Sequence, residues 1–485
     1  MRLSFRAIPT VICLAASLIP AAAQDGQGQN GQGQNGPSAE VHPGTPPSNP
    51  YTPQAPDSQL QQLLSQIDQD NLQTTVQKLV TFGTRHTLSS QTDPARGIGA
   101  ATAWVFQQFQ TYAAASAGNM TVQKQTFVQP VSSRIPVPTT ITNVIATLNG
   151  SAPGNRTYVI VAHLDDRVTD VLDFTSDAPG ADTDASGVAV VMELARVMAT
   201  EVPNATIVFS VVAGEEEGLY GSAFEAAQLK AAGVDVEGVF SVDTVGNSTA
   251  QDGTKDRHEV RLFTEGIPTA VTPNQVSLLQ SVGGEDDSSS RELGRFAKSV
   301  AENNATGMTI WLINRRDRIL RGGDQISFSQ QGYAAARFTE PNENFNHEDQ
   351  NVQVVNGVQF GDLASFLDFA FMARVARVNA AAVWSLAEGP GTPKNVELHT
   401  NPPVGLVGTN STTLSWDQGT DLSLAGYEVV WRNMDDSDWT HVIPVGNVTT
   451  VSFPFFPKDN FIMGVRAVNL DGHHSPVAYP IIVAN

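Results

Sequence analysis

The chain reads as an α/β protein, a doubly wound mixed sheet with helices on both faces, followed by an all-β sandwich. Two observations predict this. From residue 57 to residue 384, β-branched runs alternate with stretches of helical period, as in βαβ proteins. After Gly389-Pro390-Gly391-Thr392-Pro393 the helical period ends and short alternating runs take over. A third observation concerns chemistry. Several of the early runs end in histidine or acid, at the sheet edge where α/β proteins hold ligands.

The elements follow in order. Residues 1–23 have the pattern of a secretory signal: Arg2 and Arg6, an apolar stretch from Ile8 to Ile19, then Ala21-Ala22-Ala23. The protein is expected to be exported, to a periplasm or the medium. No later stretch is apolar enough to predict membrane insertion. Residues 24–56 repeat Gly-Gln-Gly-Gln-Asn and then turn Pro-rich, which predicts a flexible tether. The α/β domain, 57–384, opens on the helical spacing of Leu60, Leu63, Leu64, Ile67, Leu72, Val76 and Leu79, with Asp57 or Ser58 as cap. Strands are expected at Tyr158–Ala162, Ile207–Ala213, Val239–Val242 and Met308–Ile313. Helices are expected at Gly187–Met198, Ser222–Ala231 and Asp362–Val378. Residues 385–392 link to a sandwich over 393–485, with strands around Trp416, Tyr427–Trp431 and Gly464–Val468.

Composition narrows the function. The net charge is −21, from 28 basic and 49 acidic residues, which argues against nucleic acid as a partner. The only cysteine, Cys13, lies in the signal. Disulfides, thiolate zinc sites and a cysteine nucleophile are therefore excluded from the mature chain. Any metal must be held by histidine and carboxylate.

Those residues stand at the strand ends. His163-Leu164-Asp165 follows the first strand, and Glu215-Glu216-Glu217 follows the strand that ends at Ala213. Asp243 follows Val242, Asp182 and Asp184 lie in the loop before Ala185-Ser186-Gly187, and His347 closes a later polar loop. Nitrogen and oxygen donors without sulfur suit catalytic zinc.

With Phe82-Gly83-Thr84-Arg85-His86-Thr87 and Phe338-Thr339-Glu340, these motifs make residues 71 to about 380 resemble the co-catalytic zinc aminopeptidases. That family includes secreted bacterial leucine aminopeptidases, glutamate carboxypeptidase II and the non-enzymatic transferrin receptor ectodomain. The resemblance implies a zinc exopeptidase-like fold and two zinc ions. His163 and Asp243 would hold one ion, Glu216 and His347 the other. Asp165 would orient His163, and Glu215 would be the general base that takes a proton from the attacking water. A peptide or protein substrate, cut from its N-terminus, is the implied partner.

Two positions depart from the family. The bridging aspartate falls at Thr183, four residues before Gly187, and Asn351 replaces an aspartate four residues after His347. A one-residue loop shift brings in either Asp182 or Asp184; Asp184, nearer the helix start, is assigned to the metal. The alternative is a catalytically impaired, peptidase-like binding protein. The C-terminal part resembles a fibronectin type III module, which implies a spacer or a site for a protein or carbohydrate partner.

Overall fold

In this computed structural model the described residues are 45–152, 154, 156–400 and 411–484. The secretory signal, Cys13 and the repeats of the tether lie outside them.

Eight strands form one mixed sheet. Its order across the sheet is Met120–Gln129, Thr139–Leu148, Thr206–Val212, Arg156–His163, Asp235–Val242, Ala335–Thr339, Glu259–Thr264 and Thr309–Ile313. The four central strands, Thr206–Val212 to Ala335–Thr339, run parallel. They are buried on both faces, which is why most of their residues are apolar. One face packs on the helices Gln69–Val80, Ala185–Met198, Ser289–Ala301 and Phe369–Glu388, through Val76, Val191, Leu293 and Met372 among others. The other face packs through Val159, Val161, Val239 and Phe328. The expected α/β class is therefore observed, with mixed strand directions.

Differences from the expected elements have local causes. The long late helix spans Phe369–Glu388, not Asp362–Val378. Asp362 is engaged elsewhere, accepting the N–H groups of Asp182 and Thr183, and Asp368 caps the helix at Phe371. The pair Met120–Gln129 and Thr139–Leu148 was not expected; the first of these strands is mostly polar and half exposed. Asp57 does cap the first helix, Ser58–Ser65, accepting from Leu60 N at 2.7 Å.

The C-terminal part consists of two four-stranded sheets around a core of Trp416, Tyr427, Trp431, Phe456 and Val465. One edge strand comes from the far end of the chain. Asn49–Pro50, inside the stretch expected to be a tether, pairs with His441 and Val442. Tyr51 then lies under the Arg466 guanidinium, 4.8 Å from ring centre to Cζ, and Asp57 Oδ2 meets His473 Nε2 at 2.9 Å. The end of that polar stretch is thus built into the fold by backbone pairing and ring contacts. Among the described residues, no helix is long and apolar enough to cross a membrane.

Candidate metal centre

Three adjacent parallel strands deliver the chemistry to one edge. Arg156–His163 ends in His163, Asp235–Val242 is followed by Asp243, and Thr206–Val212 leads through Ala213 and Gly214 to Glu215. Gly214 makes this turn at φ 81°, a left-handed conformation, and an added Cβ would lie 2.9 Å from Ile141 Cδ1. The turn starts the short helix Glu215–Gly218, so the acids crowd its N-terminal end. The Ala185–Met198 helix packs closely from below: a Cβ on Gly187 would be 2.0 Å from the Val242 carbonyl. That contact explains the glycine of the Ala-Ser-Gly element.

His163 is the hub. Its Nδ1 lies 3.1 Å from the Asp165 backbone carbonyl and 3.8 Å from Asp165 Oδ1, which directs Nε2 toward Asp243 Oδ1 at 3.7 Å. The carbonyl, not the carboxylate, is thus the nearer partner of Nδ1. The Asp165 carboxylate instead accepts the Glu216 N–H at 2.9 Å. Two groups of potential ligands meet here, His163 with Asp184 and Asp243, and His163 with Glu215 and Glu216. In each group the donor atoms lie within 4.8 Å of one another.

Asp184 is drawn in, although it has a second task. Its Oδ1 caps the helix through Gly187 N at 2.9 Å and its Oδ2 accepts from His163 N at 3.2 Å. Thr183, at the bridging position, is buried, and its hydroxyl lies 3.3 Å from that of Thr244. Asp182 faces away to the Gly246 N–H at 2.7 Å. Glu217, the third acid of the run, turns to His86, with Oε1 3.3 Å from Nδ1. His347 stays outside both groups of ligands. Its ring stacks on Phe366 at 3.5 Å between centroids, and its Nδ1 is without a hydrogen-bond partner. His347 is thus not among the donors grouped with Glu216.

Two arginines that sequence reasoning passed over dominate the electrostatics. Arg337 is fully buried and pairs with Asp243 Oδ2 at 3.0 Å and Asp317 at 3.3 Å. Arg167 donates to Glu216 Oε2 and Asp349 Oδ2, both at 2.6 Å. Arg337 did leave a signal, a lone charge inside the apolar strand Ala335–Thr339. Arg167 left less, since its partner Glu216 is 49 residues away.

The charges respond accordingly. Burial would raise Asp243, but Arg337 and His163 hold it well below the usual carboxylate range. Burial would also raise Glu216, and Arg167 and His163 lower it instead. Burial pushes Glu215 well up, against the pull of His163 and with the help of Glu216. Burial works against charge on His163, yet Glu215, Asp243 and Asp184 raise it well above its ordinary value.

The donor set of His163, Asp184 and Asp243 fits one zinc ion. Bonds of about 2.0–2.2 Å place tetrahedral donors roughly 3.3–3.6 Å apart, so a small contraction closes the group. Asp243 keeps Oδ1 toward His163 while Arg337 holds Oδ2, an outer contact that orients a ligand. For a second ion the residues do not fit. Glu216 is paired with Arg167, His347 lies outside its group of potential ligands, and Thr183 is neutral.

The model of Peptidase family M28 matches residues 143–353. A Pyrenophora teres f. teres protein described as a probable zinc metalloprotease is 48 % identical over 440 residues, covering 90 % of each chain. A Pyricularia oryzae protein of the same description is 49 % identical over 445 residues, 90 % of this chain and 88 % of its own. Among solved structures, LapB from Legionella pneumophila is 20 % identical with a TM-score of 0.49, covering 70 % of this chain and 78 % of its own. On the match across nine-tenths of both chains, the protein belongs to peptidase family M28, with the zinc metalloproteases.

Proposed function

We propose that the protein is an exported, zinc-dependent peptide hydrolase of aminopeptidase type that works from one ion. The observation that carries this reading is the group of His163, Asp184 and Asp243, with donor atoms within 4.8 Å of one another and Glu215 beside them. A zinc ion held there supplies Lewis acidity, acidifying water and polarising the scissile carbonyl. The remaining work falls to the chain. Glu215, which gives no oxygen to this group of three, accepts the proton of the attacking water and returns it to the leaving amine. The Asp165 carbonyl fixes the tautomer of His163, and Arg337 fixes the rotamer of Asp243. Cleavage from the N-terminus rests on the motif resemblance to aminopeptidases, and export on the sequence of residues 1–23.

A second reading, a peptidase-like binding protein without turnover, is favoured by Thr183 and by the Arg167–Glu216 pair. Hydrolysis of a panel of aminoacyl-anilides, with and without chelator, separates the two. The first reading expects chelator-sensitive turnover that Glu215→Gln removes while zinc stays bound. Zinc-loaded wild type without turnover on free or N-blocked substrates would refute it.

A further inference from the structure

We infer that the Arg167 guanidinium takes the place of the second cation, so that the centre holds one zinc and not two. The inference rests on the one-ion reading above and adds why a second ion is excluded. Three features support it independently.

Glu216 completes the second group of potential ligands, with His163 and Glu215. Arg167 Nε donates to it at 2.6 Å, and Nη2 of the same guanidinium donates to Asp349 at 2.6 Å. The side chain is thus held at both ends of its fork, and a third contact, Nη1 to the Val168 carbonyl at 3.2 Å, ties it to its own loop. An arginine keeps its charge at every pH a protein tolerates, so this cation cannot be titrated away. Neither of the other two family ligands joins that group. His347 is stacked on Phe366, and the bridging position is the neutral Thr183, whose hydroxyl faces Thr244.

Arg337 makes the useful contrast. It also neutralises an acid of the centre, but it takes Oδ2 of Asp243 and leaves Oδ1 near His163 Nε2. Arg337 therefore supports a ligand, whereas Arg167 replaces an ion. The chemistry of the two acids differs accordingly: Asp243 serves zinc, and Glu216 serves arginine.

The test is metal stoichiometry on the full chain. Wild type, Arg167→Ser and Arg167→Lys are stripped, titrated with zinc, and measured by elemental analysis after gel filtration. One zinc per chain is expected in wild type and in Arg167→Lys, which keeps a cation in place. A second equivalent is expected to appear in Arg167→Ser, at the freed carboxylate of Glu216. Cobalt titration of wild type gives a readout that needs no variant, with the visible band expected to saturate at one equivalent. Still one equivalent in a folded Arg167→Ser would overturn the inference while leaving the one-ion hydrolase standing, and two equivalents in wild type would overturn the inference together with the one-ion reading. No zinc in wild type would overturn both.

Discussion

Thr183→Asp restores the carboxylate that the family has at the bridging position, and its cost can be worked from the neighbours. Thr183 is only 7 % exposed, and its N–H is bound to Asp362 Oδ2 at 2.8 Å. Asp182, the preceding residue and equally enclosed, is pushed by burial from an ordinary 3.8 to about 6. A new carboxylate with the same pKa keeps its proton longer in the folded chain than in the unfolded one. Stability then falls as pH rises through about 4 to 6, because the folded state holds more protons there. Above that window the loss is about 3 kcal/mol, at 1.36 kcal/mol for each of about two pH units. Zinc should offset about half of this loss. A site tightened tenfold by a new ligand gains about 1.4 kcal/mol more from saturating zinc than wild type does. Urea midpoints of both proteins, in chelator and in excess zinc at about pH 5 and pH 8, give the four numbers needed. At the higher pH the variant should be weaker than wild type by about 3 kcal/mol in chelator and by about half of that in excess zinc. If it matches wild type there, or gains no extra stability from zinc, Thr183 does not face the ion and the reasoning fails.

Two further outcomes follow from buried acids away from the centre. Glu225 is raised by burial to about 7, and its Oε2 has no hydrogen-bond partner while Oε1 accepts from Ser210. Its ionisation above that pH costs about 3 kcal/mol, and an unpartnered amide in its place costs about 1–2 kcal/mol. Glu225→Gln should therefore stabilise by about 1–2 kcal/mol near pH 8 and destabilise by a similar amount near pH 4, as read by urea unfolding; the same sign at both ends would contradict it. Glu292 joins the two halves of the molecule, accepting from Trp439 Nε1 at 2.9 Å, Val477 N at 3.1 Å and Tyr479 OH at 3.3 Å. Glu292→Ala leaves those donors unpaired, at about 2–4 kcal/mol, and should open the 385–392 linker to limited proteolysis; an unchanged digestion pattern would argue against it.

The centre was legible in part, and the boundary is physical. His163, Glu215 and Asp243 could be placed because each follows an apolar strand, and parallel strands align their ends. Asp184 could be found as a helix cap and proved to reach the hub as well. His347, assigned with Glu216 to the second ion, packs on Phe366 and is not among the donors grouped there. The arginines were hidden for a related reason. Arg167 stands two residues after Asp165 and looks like an ordinary loop charge until Glu216 and Asp349 are brought beside it. Asn49–Pro50 was hidden by composition, because a Pro-rich stretch gives no hint of the sandwich edge that receives it.

The retained acids pose an energetic problem that the arginines answer. Carboxylates gathered for a cation repel one another when the cation is absent, and burial raises the cost of each. Histidine can offset part of this, and His163 faces Glu215, Asp184 and Asp243 at once. It also helps to lower Glu216, whereas Asp349 is pushed by burial to about 7. A fixed guanidinium between those two acids removes the need for a metal on that side. Removing the bridging carboxylate, as Thr183 does, lowers the charge further. Loss of the bridge and the presence of Arg167 are then one change in two places: each makes sense only if the second ion is gone. Arg337 fits the same argument from the other side, for it neutralises Asp243 without blocking the oxygen that faces His163. The half of the centre around His163, Asp184 and Asp243 keeps a use for a metal, and the half around Glu216 has been given a permanent one-charge substitute.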